Sequence, residues 1–180
     1  MSRIIRATLA VGASVAALAG SVTTAHADES TPGTTAVQLQ VEHSGQCLTI
    51  ANGSLRNGAG AVQSKCADDA DNQLFELASA GSATFQLQAK HSGKCLEVEN
   101  AGTKAGSNAQ QWWCVGQPQQ RWKLVMVDVA KELYEIRPTH TPERCLDISD
   151  SSAKDGATAQ QWYCNGTTAQ RWRILPAKAA

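Results

Sequence analysis

The chain repeats one pattern three times at intervals of about fifty residues, and this repeat limits its possible folds more than any other feature. Each copy begins with Cys-Leu, has a glycine eleven residues later, reaches a second cysteine nineteen residues after the first, and ends on Gln-x-aromatic. A fixed period of this length indicates one supersecondary unit used repeatedly, and three units can close around an axis. The first cysteines are Cys47, Cys95 and Cys145, and the closing aromatic residues are Phe75, Trp122 and Trp172.

The first 27 residues have the layout of a secretory signal peptide, predicted over 1–27. Arg3 and Arg6 give a basic start, residues 7–20 form an apolar run, and residues 25–27 are a small-x-small cleavage site. Because the apolar run is too short for a permanent membrane helix, we expect cleavage after Ala27, secretion, and no membrane insertion. Residues 28–36 are polar with a Pro-Gly pair and are predicted to be a flexible arm.

Six cysteines in a chain expected to be exported should form disulfides. Fifteen pairings are possible, and the repeat favours those that stay within one repeat, which would each close a loop of about twenty residues and contribute about 3 kcal/mol in the chain-entropy account. Zinc ligation is the alternative, but the sequence has no Cys-x-x-Cys pair and its cysteine spacing is wider than zinc sites use. The favoured pairs are Cys47–Cys66, Cys95–Cys114 and Cys145–Cys164.

Every repeat contains four short segments with strand signatures. Apolar and polar residues alternate in them, and clusters of Gly, Asn, Asp and Ser separate them. We therefore predict an all-β fold of three four-stranded repeats about a pseudo-threefold axis, in which closure of the sheet removes exposed edges. The predicted strands are 37–41, 47–50, 61–66 and 74–77, then 85–87, 95–98, 109–114 and 122–125, then 133–136, 145–148, 159–164 and 172–175.

Three Gln-x-aromatic motifs in register with six paired cysteines resemble the ricin-type β-trefoil lectins, also called ricin-type carbohydrate-binding modules. The resemblance covers residues 37–176, with repeats at about 37–82, 83–130 and 131–176. It implies a β-trefoil in which the closing aromatic residues pack around the axis and the motif glutamines bond to backbone groups of turns. Those glutamines are Gln73, Gln120 and Gln170.

The resemblance also implies where a sugar binds in each repeat. A carboxylate after Cys-Leu accepts adjacent hydroxyls, amides of two glutamines fix further hydroxyls, and an aromatic ring two residues before the second cysteine receives the apolar face of the sugar. The third repeat has Asp147, Gln160, Trp162 and Gln170 at these places, and the second has Glu97, Gln110, Trp112 and Gln120.

Three departures from the family pattern affect these sites. Ala169 replaces an asparagine of the family, which removes an amide, and Glu97 is one methylene longer than the usual aspartate. Gln111 and Gln161 lie where the family often has an apolar residue. Side chains alternate between the two faces of a strand, so Gln111 and Trp112 point to opposite sides. Either Gln111 points inward with its hydrogen bonds satisfied, or the register is shifted and Trp112 lies partly in the core.

The first repeat lacks the groups that a sugar site needs. Thr49, Val62 and Ser64 occupy the carboxylate, glutamine and aromatic positions, so we predict no sugar site there. His43 and His91 share one repeat position and are expected to serve a turn rather than chemistry. For Asp147 and the tryptophans, capping of a loop and core packing remain alternatives to sugar contact.

Charge and the repeats together narrow the function. The chain has 16 basic and 16 acidic residues and no basic cluster, which argues against nucleic acid and against an anionic membrane surface. We expect non-catalytic binding of carbohydrate, with no metal and no cofactor, through weak sites that gain from avidity on polymeric or clustered glycans. The family implies galactose-containing glycans or xylan-like polysaccharide, and a separately encoded hydrolase is a candidate partner.

Two other function classes remain open. A trefoil that binds a protein, such as a protease inhibitor or a toxin-like surface protein, would use exposed loops such as 54–57 and 117–119. An enzyme would need a pair of acid and base groups close together, whereas the repeat distributes the acids around an axis. The repeats also fill the chain after residue 36, which leaves no room for a separate catalytic domain.

Overall fold

The computed structural model describes residues 36–178, which form twelve β-strands. The predicted signal peptide and residues 28–35 of the predicted arm lie outside the described residues. Among the described residues, no helix has the length and apolar character needed to cross a membrane. The strands are β1 (Ala36–Val41), β2 (Cys47–Ile50), β3 (Ala59–Ser64), β4 (Phe75–Ser79), β5 (Phe85–Ala89), β6 (Cys95–Val98), β7 (Ala109–Trp112), β8 (Trp122–Asp128), β9 (Leu133–Pro138), β10 (Arg144–Ile148), β11 (Ala159–Tyr163) and β12 (Trp172–Pro176).

Helical structure within residues 36–178 is limited to 3₁₀ turns of three residues each. Two such turns occur in every repeat, one after the second strand and one before the fourth, so the turns follow the same period as the strands. The turns are Ala51–Gly53, Asp71–Gln73, Glu99–Ala101, Pro118–Gln120, Ser149–Ser151 and Thr168–Gln170.

Six strands form a closed antiparallel ring. β1 pairs with β12 and β4, β5 pairs with β4 and β8, and β9 pairs with β8 and β12. The other six form one hairpin per repeat, β2–β3, β6–β7 and β10–β11. Pairing of β3 with β7 and the bridges Val62–Thr158 and Asn108–Gln160 join the hairpins to one another. The predicted all-β architecture of three four-stranded repeats is confirmed.

The closing aromatic residues of the three repeats lie in one hydrophobic core. Phe75, Trp122 and Trp172 are fully buried, as predicted. The indole Nε1 of Trp122 donates to the carbonyl of Leu96 and that of Trp172 to the carbonyl of Leu146, each at 3.0 Å. A buried indole N–H needs such a partner. Phe75 occupies the equivalent position of the first repeat and has no N–H to satisfy.

The strand before each second cysteine ends one or two residues earlier than predicted, at Ser64, Trp112 and Tyr163. The strand ends there because the side chain of the motif glutamine bonds to the next backbone groups in place of a neighbouring strand. Gln120 Nε2 donates to the carbonyl of Trp113 (2.7 Å), and its Oε1 accepts from the Val115 N–H (2.8 Å). Gln73 and Gln170 bond to the equivalent groups of their own repeats, which confirms the expected tie between motif and turn.

All three disulfides join the cysteines of one repeat, as the sequence symmetry favours. The Cα–Cα distances are 5.0 Å for Cys47–Cys66 and Cys95–Cys114 and 5.1 Å for Cys145–Cys164. No cysteine is free, so the zinc alternative fails for these residues. Glu135, Cys145 and Cys164 lie close enough together to resemble a metal site. The two sulfurs form a disulfide and are therefore not thiolate ligands.

Buried glutamines join the repeats. Gln111 Oε1 accepts from Ser92 Oγ (2.7 Å), and its Nε2 donates to the carbonyls of Ser54 (2.6 Å) and Arg56 (2.9 Å) in the first repeat. Gln111 is therefore a satisfied inward amide, and the alternative of a shifted register is wrong. Gln63 and Gln161 are bonded in the same way: each accepts from a hydroxyl of its own repeat, Ser44 or Thr141, and donates to two carbonyls of the loop 152–154 or 102–104.

Three histidines in equivalent places add a second contact across each repeat boundary. The Nε2 atoms of His43, His91 and His140 lie 2.9–3.1 Å from a backbone carbonyl of another repeat. The carbonyl is that of Ser152 for His43, so the first repeat contacts the loop that follows β10. The sequence suggested that these histidines serve a turn. In the structure they connect neighbouring repeats.

Candidate functional site

The hairpin β10–β11 places the carboxylate of the third repeat. Asp147 and Gln160 are opposite each other in the register, and Gln160 Nε2 donates to Asp147 Oδ1 at 2.9 Å. Gln170 Nε2 donates to the other oxygen, Oδ2, at 3.0 Å. Asp147 and Gln160 are nearly buried, with one edge accessible. Two amides therefore fix the carboxylate in one orientation at the floor of a depression.

Trp162 forms one wall of this depression. It is two residues after Gln160 and so points to the same side of β11, and 39% of its surface is exposed. The exposure rules out the core alternative for this tryptophan. Trp162, Asp147 and Gln160 line a cavity of about 240 Å³.

The rest of the cavity wall is polar and was not singled out in the sequence. It comes from the turn after β10 and from the segment after the second cysteine of the repeat. The only feature of the sequence that could have indicated these residues is their position just after a predicted strand. Many surface turns have that position, so it is not specific. The additional lining residues are Ser149, Asp150, Ser151, Asn165 and Thr167.

Burial raises the pKa of the Asp147 carboxyl. The hydrogen bonds from Gln160 and Gln170 and the charge of His43 act in the opposite direction, and Asp150 adds to the rise. Desolvation penalises the charged form of a carboxyl, whereas donors favour it. The site thus holds an incompletely compensated carboxylate, for which further hydroxyl donors would be favourable.

The second repeat reproduces this arrangement with a longer side chain. Glu97 Oε1 accepts from Gln110 Nε2 and Glu97 Oε2 accepts from Gln120 Nε2, each at 2.9 Å. The extra methylene leaves both bonds in place. Trp112 is 40% exposed, as its counterpart is. The rim differs, because the exposed Val115 stands where the third repeat has Asn165.

The structure changes the role of the two motif glutamines. Gln120 and Gln170 are fully buried, and their amides are occupied by the carboxylate and by backbone groups. Direct contact with a sugar, expected for them from the sequence, is therefore not available to these side chains. They position the carboxylates instead.

The first repeat offers neither carboxylate nor ring. Thr49 is nearly buried and its Oγ1 donates to the carbonyl of Cys47 at 2.9 Å. Ser64 occupies the tryptophan position, and Asn72 Nδ2 donates to the carbonyl of Ile50 at 2.9 Å. Asn72 and Ala169 occupy the same position in their repeats. In the first repeat, the amide at this position therefore bonds to a backbone carbonyl.

Each ring borders a glycine turn of the preceding repeat. A Cβ placed on Gly106 would lie 3.6 Å from Cζ3 of Trp162, and one on Gly58 would lie 3.8 Å from Cζ3 of Trp112. Both glycines have a positive φ, a conformation that L side chains rarely adopt. A turn of the preceding repeat therefore lies next to the ring of each candidate site.

The sequence matches one known protein family over most of its length. The family described as ricin-type beta-trefoil lectin domain-like matches residues 24–112, 71–162 and 118–180 in three overlapping segments. Curated protein sequences gave no match to the chain.

Solved structures share the fold. The designed 3-fold symmetric protein ThreeFoil is 35% identical with a TM-score of 0.73, over 78% of this chain and 97% of ThreeFoil. The exo-beta-1,3-galactanase 1,3Gal43A from Clostridium thermocellum is 28% identical with a TM-score of 0.75, over 81% of this chain but 31% of the galactanase. The Macrolepiota procera ricin B-like lectin, solved with lactose, is 16% identical with a TM-score of 0.68, over 81% of this chain and 98% of the lectin.

These similarities confirm the β-trefoil that the resemblance to ricin-type lectins implies. The three overlapping family matches together span residues 24–180, which include all twelve strands and both candidate sites. The chain belongs to the ricin-type beta-trefoil lectin domain-like family.

Proposed function

We propose that this protein is a secreted, non-catalytic carbohydrate-binding protein with one sugar site in the second repeat and one in the third. The observation that carries the proposal is a carboxylate held by two glutamines beside an exposed tryptophan, an arrangement that occurs twice. Membership of a lectin-like family supports the same function.

The geometry suits a neutral pyranose. Each oxygen of Asp147 receives one amide N–H, and an ionised carboxylate has about four acceptor positions, so two adjacent sugar hydroxyls can donate to what remains. Trp162 offers a ring for the apolar face of the sugar. Asp150 near the same cavity disfavours an anionic sugar, because like charges repel.

Galactose-containing glycans are the ligand class with most support. The galactanase is named for a galactose polymer, and the Macrolepiota lectin was solved with lactose. Xylan-like polysaccharide is the second ligand class to test. The match covers only 31% of the galactanase, so a trefoil of this kind can occur in one chain with a hydrolase; a separately encoded hydrolase is the partner we propose to test for this chain.

The test is a glycan array with a pull-down on insoluble galactan and xylan. Wild type is compared with Asp147→Asn plus Trp162→Ala, and with Ser64→Ala, which changes the equivalent position of the first repeat. Circular dichroism and a thiol assay first establish that the variants are folded and oxidised. We expect the double variant to lose most binding at the third repeat, with Ser64→Ala unchanged.

The outcomes separate the function classes. Residual binding that disappears on adding Glu97→Gln and Trp112→Ala identifies the second repeat as the other site. Absence of binding to every glycan contradicts the proposal and favours a protein partner. Release of reducing sugar from the same polysaccharides contradicts the non-catalytic assignment.

A further inference from the structure

We propose that Tyr163 in the third repeat and Trp113 in the second are additional aromatic platforms, each of which receives a second sugar residue of an oligosaccharide. The inference rests on the proposed function and names an oligosaccharide, rather than a monosaccharide, as the ligand of each site.

Both rings are exposed although they lie over buried cations. Tyr163 is 56% exposed, and the guanidinium carbon of Arg144, a residue only 7% exposed, lies 3.6 Å from the ring centroid. Trp113 is 60% exposed, and Nζ of Lys94, a residue 6% exposed, lies 4.0 Å from its ring. Each cation occupies the inner side of its ring, so the outer face is left to solvent.

The cations also hold the rings in place. Arg144 and Tyr163 are direct register partners across β10 and β11, and a cation is attracted to the negative face of an aromatic ring. A ring that is already fixed loses little conformational entropy when a ligand stacks on it. An exposed ring on a flexible surface would lack this advantage.

One amide links the backbone of each ring residue to the carboxylate of the same site. Gln170 Nε2 donates to Asp147 Oδ2 (3.0 Å) and to the carbonyl of Tyr163 (2.9 Å). Gln120 does the same for Glu97 (2.9 Å) and Trp113 (2.7 Å). The backbone that carries the second platform is therefore fixed relative to the group that would bind the first sugar, and the cation beneath the ring holds the side chain.

The two rings of the third repeat meet at a corner. Trp162 and Tyr163 have centroids 6.4 Å apart and planes at 87°. Two sugar residues stacked on them would have their faces turned strongly relative to each other. This geometry favours a twisted or branched glycan, and it disfavours a flat ribbon such as cellulose, whose successive rings are nearly coplanar.

The first repeat provides an internal comparison. It has Gln46 and Lys65 at the cation and ring positions, and Gln46 Nε2 donates to the carbonyl of Ala153 instead. The same repeat lacks the carboxylate and the tryptophan of a sugar site. In the described chain, the stacked cation and ring thus accompany the sugar site and are absent where that site is absent.

The experiment compares ligands of different length at the third repeat alone. Glu97→Gln plus Trp112→Ala removes the second-repeat site, and Tyr163→Ala, Tyr163→Phe and the control Lys65→Ala are made on that background. Calorimetry measures binding of galactose, β-1,3-galactobiose, xylose and xylotetraose, with a pull-down on cellulose. Thermal unfolding measures the stability of each variant separately from its affinity.

Loss of one stacked ring should weaken β-1,3-galactobiose or xylotetraose binding about five- to tenfold, with monosaccharide affinity unchanged and no retention on cellulose. Tyr163→Phe keeps the stacking face and should keep the affinity. Equal effects on short and long ligands, or a loss of stability with unchanged affinity, would show that the ring merely covers Arg144 and would overturn the inference. A background protein that binds none of the four sugars contradicts the third-repeat site itself. Should Tyr163→Ala fail to fold, Trp113→Ala decides, made on a background in which Asp147→Asn plus Trp162→Ala removes the third-repeat site and leaves the second intact.

Discussion

Glutamine is the residue that organises both candidate sites. Gln170 donates to the Asp147 carboxylate and to the Tyr163 carbonyl, and its own Oε1 accepts from the Asn165 N–H. A neutral amide carries donors and an acceptor on one small group, so one buried side chain can satisfy all three partners. A glutamate in the same place would set a second carboxylate against Asp147, which like-charge repulsion makes unfavourable.

The raised pKa of Asp147 predicts opposite effects of pH on stability and on binding. Because the folded state holds this proton more tightly than the unfolded state, ionisation of Asp147 destabilises the sugar-free fold as pH rises above about 4. The ionised form is the one that accepts sugar hydroxyls, so affinity at the third repeat should rise over the same window. Calorimetry from pH 4 to 7, with the second site removed, measures the affinity.

Asp147→Asn is the matched control for this prediction. It keeps the shape of the side chain and removes the titration, so the remaining affinity should be low and nearly independent of pH. Wild-type affinity that stays constant across the window would show that the carboxylate does not receive the hydroxyls.

At the scale of strands and turns, the sequence predicted the features within each repeat but not the contacts between repeats. Alternation and turn residues located all twelve strands, and symmetry selected the disulfides. The cross-repeat bonds of Gln111 and His91 were not predicted, because a sequence period states what each repeat contains and not which neighbouring loop meets it. Tyr163 was missed for a related reason, since only the fold shows that Arg144 lies beneath it.

The glycine turns predict that a change in one repeat alters the site of the next. Gly106→Ala adds a methyl group in contact with the Trp162 ring, whereas Gly156→Ala adds one with nothing within 4 Å. Both residues have a positive φ, so each substitution should cost about 1–3 kcal/mol of stability. Only Gly106→Ala should weaken sugar binding at the third repeat.

Thermal unfolding and calorimetry on the two glycine variants measure the two effects separately. Similar loss of stability with different affinities is the expected pattern. Identical affinities would mean that the preceding repeat does not border the bound sugar, and that each site belongs to one repeat alone.

At the scale of the whole fold, the closed ring and the bridged hairpins hold the two sites in one rigid arrangement. Hydrogen bonds from Gln63, Gln111 and Gln161 cross all three repeat boundaries, and three disulfides fix the hairpins. The separation and orientation of the sites therefore change little on binding. A rigid pair of weak sites gains affinity only from a ligand that presents sugars at the matching spacing.

This rigidity leads to a prediction about polymers. Glu97→Gln and Asp147→Asn, made singly, should each halve the number of soluble sugar molecules bound while leaving the affinity of the other site unchanged. Retention on insoluble polysaccharide should fall about 100-fold in either variant, because avidity commonly contributes that much or more. Depletion isotherms on the polysaccharide that wild type binds measure the effect. If each single variant instead retained half of the wild-type binding, the two sites would act independently, and the threefold arrangement would serve the stability of the fold rather than the capture of a polymer.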